Sequence, residues 1–303
     1  MPLIIDDDKL HFGRLTSFDI ILDKLNEANA RISPLLYDFA NTMNTLQSIM
    51  TENEILINKF ITFMLSIGWP PPLNLTIHQI SLILAALDNT KSELIITEIE
   101  NVLIQIYDEE KLSTKLNNWK NNKLLNHRLE ILDAVIHSHI VENYWLSIPA
   151  IIPQIEGIIS DGYNLIGKLN FKILNKYITR LLSNQYQIYH LNQSLLKFIS
   201  NVFYVNFVRG APLQSNLSRH AIIHGADTKY GTAANSLKLI LLFDYLQDSF
   251  RYVSNSYSDV YHRMGCSYIR GVESEKLQIF KYYQIAEAEN KRPCSHCHPI
   301  LVK

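Results

Sequence analysis

Apolar residues recur along this chain at three- and four-residue intervals, the spacing that gathers them on one face of an α-helix. Phe18, Ile21, Leu22 and Leu25 mark a first stripe, with Thr16 or Ser17 as its cap, and Leu35, Leu36, Phe39, Met43 and Leu46 mark a second. Residues 52–67 predict a third helix, stopped by Trp69-Pro70-Pro71-Pro72. Three consecutive prolines cannot continue a helix and form a stiff extended connector. Further helices are predicted over 77–87, 91–107 and 109–120. The asparagine cluster between Leu116 and Asn126 reads as a turn region, and divides the chain into an N-terminal domain, 1–120, and a C-terminal domain, 121–303. Past that turn the segments lengthen. Leu129, Leu132, Val135 and Ile136 set the pattern of 127–145, where His137 and His139 are ordinary helix residues, and the run IPAIIPQIEGII lies within 147–162. Helices are then predicted over 165–183, 188–208, 215–224, 233–252 and 273–289. Gly225 would close the one at 215–224 and Thr232 would cap the next. The expected class is all-α, two helical domains ending in a polar tail.

Composition agrees with that expectation. Hydrophobic residues make up 47% of the 303 and charged residues 19%, which excludes a disordered chain. Ten glycines and ten prolines are few for this length, whereas sheet-rich and βαβ folds spend glycine on turns and phosphate loops. Neither a phosphate-loop motif nor GxGxxG is present, which argues against a nucleotide-driven enzyme. The start, Met1-Pro2-Leu3-Ile4-Ile5-Asp6-Asp7-Asp8, has no basic region and too short an apolar run for a secretory signal. No stretch reaches the ~18 apolar residues of a membrane span. Three cysteines do not make a disulfide framework. These features lead to the expectation of a soluble, cytoplasmic protein in a reducing compartment.

A net charge of −1 excludes a histone-like binder of nucleic acid. Its distribution is uneven. Residues 1–100 hold six basic against thirteen acidic side chains, 101–200 ten against eight, and 201–303 twelve against eight. The last third also holds His220, His224, His262, His296 and His298. A basic face toward a polyanion is therefore compatible with a near-neutral total.

The chemistry concentrates in Ser218-Arg219-His220-Ala221-Ile222-Ile223-His224-Gly225. On a helix His220 and His224 share a face, and the long Arg219 side chain can reach the same surface. A guanidinium holds phosphate oxygens, and an imidazole moves a proton near neutral pH. Together they suffice for RNA cleavage without a metal. The R-x4-H spacing resembles the signature of the HEPN superfamily of helical ribonucleases, with His220 where asparagine or aspartate is usual. The wider run NLSRHAIIHGADTKYGTAANSLKLILLFDYL, with HRLEIL (127–132) and YWLSIPAIIPQIEGII (144–159), is similar to a group of bacterial proteins. The likeness covers roughly residues 125–255.

The resemblance implies a HEPN-like C-terminal bundle acting as an endoribonuclease of a toxin or antiviral defence system. His224 would be the general acid or base, Arg219 would stabilise the phosphate, and His220 would position it or assist the proton. Products would be a 2′,3′-cyclic phosphate and a 5′-hydroxyl. The implied partners are RNA, a second copy of the chain in a homodimer, and an antitoxin or regulatory protein, with no membrane. The alternative is a non-catalytic helical module that binds RNA or protein, with Arg219 and the histidines capping a helix and pairing with neighbours such as Asp227.

Lys229 and Tyr230 follow the motif as candidate substrate contacts, Tyr230 by stacking on a base. Glu156 stands in an apolar run where an unpaired carboxylate is costly, so it is a candidate to orient Arg219 or His224. No catalytic cofactor is expected. Cys294-x2-Cys297 is half of a structural zinc site, which His262 and Cys266, at i and i+4, could complete; the alternative is an unliganded polar tail.

Overall fold

The computed structural model describes residues 52–72, 75–88, 93–183 and 189–300. The expected stripes at 18–25 and 35–46 lie outside the described residues. The chain forms two compact units. In the described part, one takes in residues 52–63, 72 and 75–88, and the other 64–71, 93–183 and 189–300. Segment 93–120, which the sequence groups with the N-terminal domain, belongs to the second unit.

The first elements are α1 (52–66) and α2 (Ile77–Asp88). Thr76 starts α2 with a reciprocal cap. Its N–H donates to Gln79 Oε1 at 2.9 Å, and the Gln79 N–H donates to Thr76 Oγ1 at 3.2 Å.

In the second unit the helices are α3 (Glu93–Ile106), α4 (Glu109–Lys120), α5 (Leu129–Ile140), α6 (Tyr144–Gly162), α7 (Phe171–Ser183), α8 (Tyr189–Phe198), α9 (Arg219–Ile223) and α10 (Ala233–Asp248). The 109–120 prediction matches α4, which Asp108 caps by accepting from the Lys111 N–H at 2.9 Å. At the end of α8 one wide turn, Ile199–Phe203, brings the Tyr204 N–H to the Ile199 carbonyl at 2.8 Å. Such i→i+5 turns often occur at functional sites.

Helix α10 is the centre of the unit. Its residues from Ala234 to Phe243 are all buried, as are Tyr245, Leu246 and Gln247, and it packs on α6, α5 and α3. Thr232 caps it as expected, accepting from the Asn235 N–H at 3.1 Å. A helix enclosed on every side must satisfy its polar groups internally. Lys238 donates to Glu100 of α3 at 3.1 Å, and its ammonium lies 4.8 Å from the centre of the Trp69 ring. Trp69 Nε1 donates to the same carboxylate at 2.8 Å. Asp244 accepts from Trp119 Nε1 at 2.7 Å and pairs with Lys115, both on α4. Ser236 joins Ser147 of α6 at 2.7 Å and His139 Nδ1 of α5 at 2.8 Å.

The all-α expectation is corrected at the C-terminus. The fold is mostly helical, but β1 (Tyr252–Asn255), β2 (Val260–Arg263), β3 (Leu277–Phe280) and β4 (Arg292–Pro293) form a mixed sheet in the order β3-β1-β2-β4. β1 runs antiparallel to β2 and β3, and β4 lies parallel to β2. The helix expected at 233–252 ends at Asp248 because Tyr252 and Val253 pair across the sheet with Arg263 and His262. The helix expected at 273–289 is instead β3 followed by the short α11 (Tyr283–Ala288). Tyr252-Val253 and Val260-Tyr261 are aromatic and β-branched pairs flanking a polar Asn-Ser-Tyr-Ser-Asp turn, a hairpin signal that helical periodicity conceals. Among the described residues, no helix is long and apolar enough to cross a membrane.

Burial lowers the His139 pKa from 6.5 to about 4. The unfolded chain therefore takes up this proton as pH falls through 6.5, while the native fold resists it until about 4. Stability is complete above that window and is lost across it, by at most about 1.4 kcal/mol per pH unit. Urea unfolding at pH 7 and pH 5 should differ by about 2 kcal/mol more in the parent than in His139→Gln. Equal differences in the two proteins would show that this histidine does not carry the effect.

Candidate functional site

The Arg219 motif occupies a five-residue helix held at both ends. Ser218 caps α9, accepting from the Ala221 N–H at 3.2 Å, and its hydroxyl donates to the Val205 carbonyl at 2.7 Å. His224 is the last cap position, and Gly225 follows with φ +64°, the left-handed conformation expected after a helix end. The Ala226 N–H closes the turn on the Ala221 carbonyl at 2.8 Å.

Glu156 projects from the middle of α6 to meet this helix. Arg219 Nε lies 2.8 Å from its Oε1, and Nη2 donates to its Oε2 at 3.3 Å. Tyr204 donates its hydroxyl to Oε1 at 2.9 Å. Burial, reinforced by this carboxylate, pushes the Tyr204 hydroxyl well above its ordinary pKa and keeps it a donor. The carboxylate thus positions the guanidinium. Asp227, a possible partner of Arg219 on sequence grounds, instead accepts from the Lys229 N–H at 2.7 Å.

Arg219 Nη1 lies 3.3 Å from His220 Nδ1. A guanidinium has no lone pair to offer, so this contact places the Nδ1 lone pair toward Arg219 and the proton of neutral His220 on Nε2. Burial, then the Arg219 and His224 charges, depress the His220 pKa and favour that neutral form. The His220 and His224 rings are nearly parallel, 7° apart, with centroids at 6.5 Å. His224 is exposed to solvent. Aromatic rings border the pair: Tyr204 and Phe207 lie 6.1 Å from His220 and His224 respectively, and Phe171 packs on Tyr204 at 4.1 Å. A cavity of about 420 Å³ opens here, lined by Glu156, Asn170, Phe171, Tyr204, Arg219 and His220 among others. A permanent cation, a neutral imidazole and the half-buried Phe171 ring, backed by buried Tyr204, meet in one concavity.

Lys229 and Tyr230 are not in that lining. Lys229 is exposed, and the Tyr230 hydroxyl donates to the Trp145 carbonyl at 3.4 Å. Pro149 lacks the N–H that would bond this carbonyl within α6, so Tyr230 supplies the donor. Phe171, Tyr204 and Phe207 are the contributors that sequence reading missed. No spacing pattern singles them out, since folding alone brings α7 and the wide turn after α8 beside α9.

The second cluster is at the sheet. Each of His262, Cys266, Cys294 and Cys297 offers one ligand atom, and all four atoms lie within 4.8 Å of one another. His262 comes from β2, and Cys266 follows the turn after that strand. β4 delivers Cys294, whose N–H donates to the Tyr261 carbonyl at 2.9 Å. His262 Nδ1 is buried with no hydrogen-bond partner. Backbone N–H groups already point at two sulfurs, Arg263 N to Cys297 at 3.3 Å and His296 N to Cys294 at 3.4 Å. Burial and the neighbouring thiols Cys266 and Cys294 push the Cys297 thiol up to about 12. A bound cation would supply the charge that reverses that preference. The cluster can hold a metal ion.

Comparison with protein-family models, with curated proteins and with solved structures returns no match to this chain.

Gly157, one position after Glu156, is required by close approach. A Cβ there would overlap the guanidinium of Arg128, which is held by Asp161 at 2.8 Å and Gln154 at 2.7 Å. Gly157→Ala must break these charged hydrogen bonds, and should lower the unfolding free energy by about 1–3 kcal/mol. In an Arg128→Ala background the same substitution should cost less than about 0.5 kcal/mol. Urea denaturation of the four proteins measures the coupling, and additive costs would contradict it.

Proposed function

We propose that this protein is an endoribonuclease that cleaves RNA through the 2′-hydroxyl without a catalytic metal. The observation that carries the reading is a fixed guanidinium, Arg219, beside His220 in the lining of a cavity, with the exposed His224 ring outside that lining but parallel to His220 at 6.5 Å. In the proposed reaction His224 takes the proton from the 2′-oxygen. That oxygen forms a bond to the adjacent phosphorus as the bond to the 5′-oxygen breaks. The imidazolium of His224 returns the proton to the departing oxygen. Products are a 2′,3′-cyclic phosphate and a 5′-hydroxyl. Arg219 stabilises the additional charge on the phosphorane, and the His220 Nε2–H donates to a non-bridging oxygen. Glu156 positions Arg219 and does not touch the substrate. Phe171, half-buried in the cavity lining, offers a face on which a base can stack, and buried Tyr204 backs it. A HEPN-like identity of this part, and pairing of two copies, belong to the same proposal.

The metal cluster is proposed to be a structural zinc site. Two to four thiolates with histidine are the usual donors for tetrahedral zinc. All four positions are filled by protein, which fits a structural role better than a catalytic one, and the backbone N–H groups aimed at sulfur are the outer hydrogen bonds such sites use.

Two measurements test these readings. Purified protein incubated with RNA in buffer without added divalent metal should yield cyclic-phosphate ends. Arg219→Ala should lower the rate about 10²–10³-fold and His224→Ala about 10²–10⁴-fold; the unfolding midpoint should be unchanged in His224→Ala and lower in Arg219→Ala, which leaves Glu156 without its cation. Parent-like cleavage by both variants would overturn the nuclease reading. Elemental analysis should find close to one zinc per chain in the parent and almost none in the Cys294→Ser/Cys297→Ser variant, whose thermal midpoint should also fall. A metal-free parent of unchanged stability would remove the zinc reading.

A further inference from the structure

Helix α7 carries a line of positive charge that neither site uses. Lys172, Lys176 and Arg180 follow one another at four-residue intervals, and Lys168 continues the spacing into the turn before the helix. All four are exposed. The opposite face, Leu174, Ile178, Leu181 and Leu182, is buried. Side chains at i and i+4 lie on one face of a helix, so Lys172 to Arg180 form a ridge along about 12 Å of its axis. Among the described residues, no carboxylate oxygen comes within 4.0 Å of these nitrogens.

Helix α7 borders two concavities. At its N-terminal end, Asn170, Phe171 and Leu174 line the cavity that holds Arg219 and His220. At its C-terminal end, Arg180 lines a second cavity of about 430 Å³ together with Arg270, Gly265, Gly271 and Leu277 among others. Arg180 is fixed there. Its Nη2 donates to the Gly265 carbonyl at 2.6 Å, and its Cζ lies 5.9 Å from the centre of the Tyr163 ring. The loop it grips leads directly into Cys266 of the metal cluster. One helix therefore runs from the proposed cleavage site to Arg180, which with Arg270 lines the cavity beside the metal cluster.

We propose that this ridge, from Lys168 through Lys172, Lys176 and Arg180 to Arg270, is the track along which single-stranded RNA enters the Arg219 site, a proposal that rests on the nuclease reading above. At the stacked rise of about 3.4 Å per nucleotide, 12 Å of helix faces about four phosphates. A positive groove bordered by aromatic faces is the general form of single-strand binding sites. Phe171, half-buried, next in sequence to Lys172 and part of the cavity lining, supplies such a face. A lipid surface fits less well. A membrane-surface helix sets exposed apolar side chains beside its basic ones, and here the apolar face of α7 is buried in the protein.

The test uses the full chain and a fluorescent 20-nucleotide 2′-O-methyl RNA, which lacks the attacking hydroxyl. Anisotropy titrations over a range of salt give Kd and its salt dependence. Lys172→Ala/Lys176→Ala should weaken binding about tenfold and reduce the slope of log K against log salt by about 1.4, the loss of two phosphate contacts. Cleavage of a dinucleoside monophosphate, which is too short to reach the ridge, should be unchanged in the double variant. A double variant with parental Kd and salt slope would overturn the track. So would a parent that binds vesicles of phosphatidylcholine and phosphatidylserine but not the oligonucleotide. If the parent binds RNA through the ridge but cleaves none, the nuclease reading fails and the track to a cleavage site is overturned with it, leaving the ridge as an RNA-binding surface alone.

Discussion

A helix buried on every side can carry polar residues only where each finds a partner, and α10 imposes that condition on the whole second unit. Leaving a buried charge unpaired would cost several kcal/mol. Each polar side chain of α10 therefore selects a neighbour. Lys238 takes Glu100 on α3, Asp244 takes Lys115 and Trp119 on α4, and Ser236 takes Ser147 on α6 and His139 on α5. Leucine and isoleucine on the same helix would accept many rotations and shifts of its neighbours. The polar pairs accept one, because hydrogen bonds tolerate only a narrow range of distance and angle. This also explains why α4 belongs with the C-terminal helices. Its Lys115 and Trp119 have their partner on α10.

The same constraint acts once more on α6. Its row of isoleucines faces the core, and Glu156 leaves that row with its carboxylate between Tyr204 and Arg219. The pairing keeps Glu156 compatible with its surroundings and at the same time aims a guanidinium into a cavity. Stability and site geometry are thus set by one group. Close packing adds to this. Gly157 admits the Arg128 guanidinium, Gly162 admits the Phe250 ring, and Gly231 admits the Trp145 indole, so three of the ten glycines serve approaches to α6.

The metal cluster is organised by a different force. The sheet is small, its strands two to four residues long, and two small apolar clusters, around Tyr261 and around Val253, pack against it. Cross-strand pairing sets His262 of β2 beside the segment that carries Cys294 and Cys297. A metal bound by all four side chains would tie that segment to the hairpin. Arg180, bonded to Gly265 just before Cys266, links this module to α7.

The sequence by itself determined the helices from α3 to α6 to within a few residues, the caps at Thr232 and Gly225, the spacing of Arg219, His220 and His224, and each half of the metal cluster, His262 with Cys266 and Cys294 with Cys297, though not that the halves meet. These are local facts: periodicity, capping chemistry and short spacings are written in neighbouring residues. Glu156 was legible as a carboxylate requiring a partner, and the tertiary structure decided which one. It also decided that the C-terminal segment pairs into a sheet, since four-residue strands have little periodicity and hydrogen-bond to partners up to about thirty residues away. The aromatic border of the cavity and the ridge on α7 were legible only as residues. Their meeting with Arg219 depends on contacts between segments far apart in the chain, and no local spacing encodes which buried surface will face which.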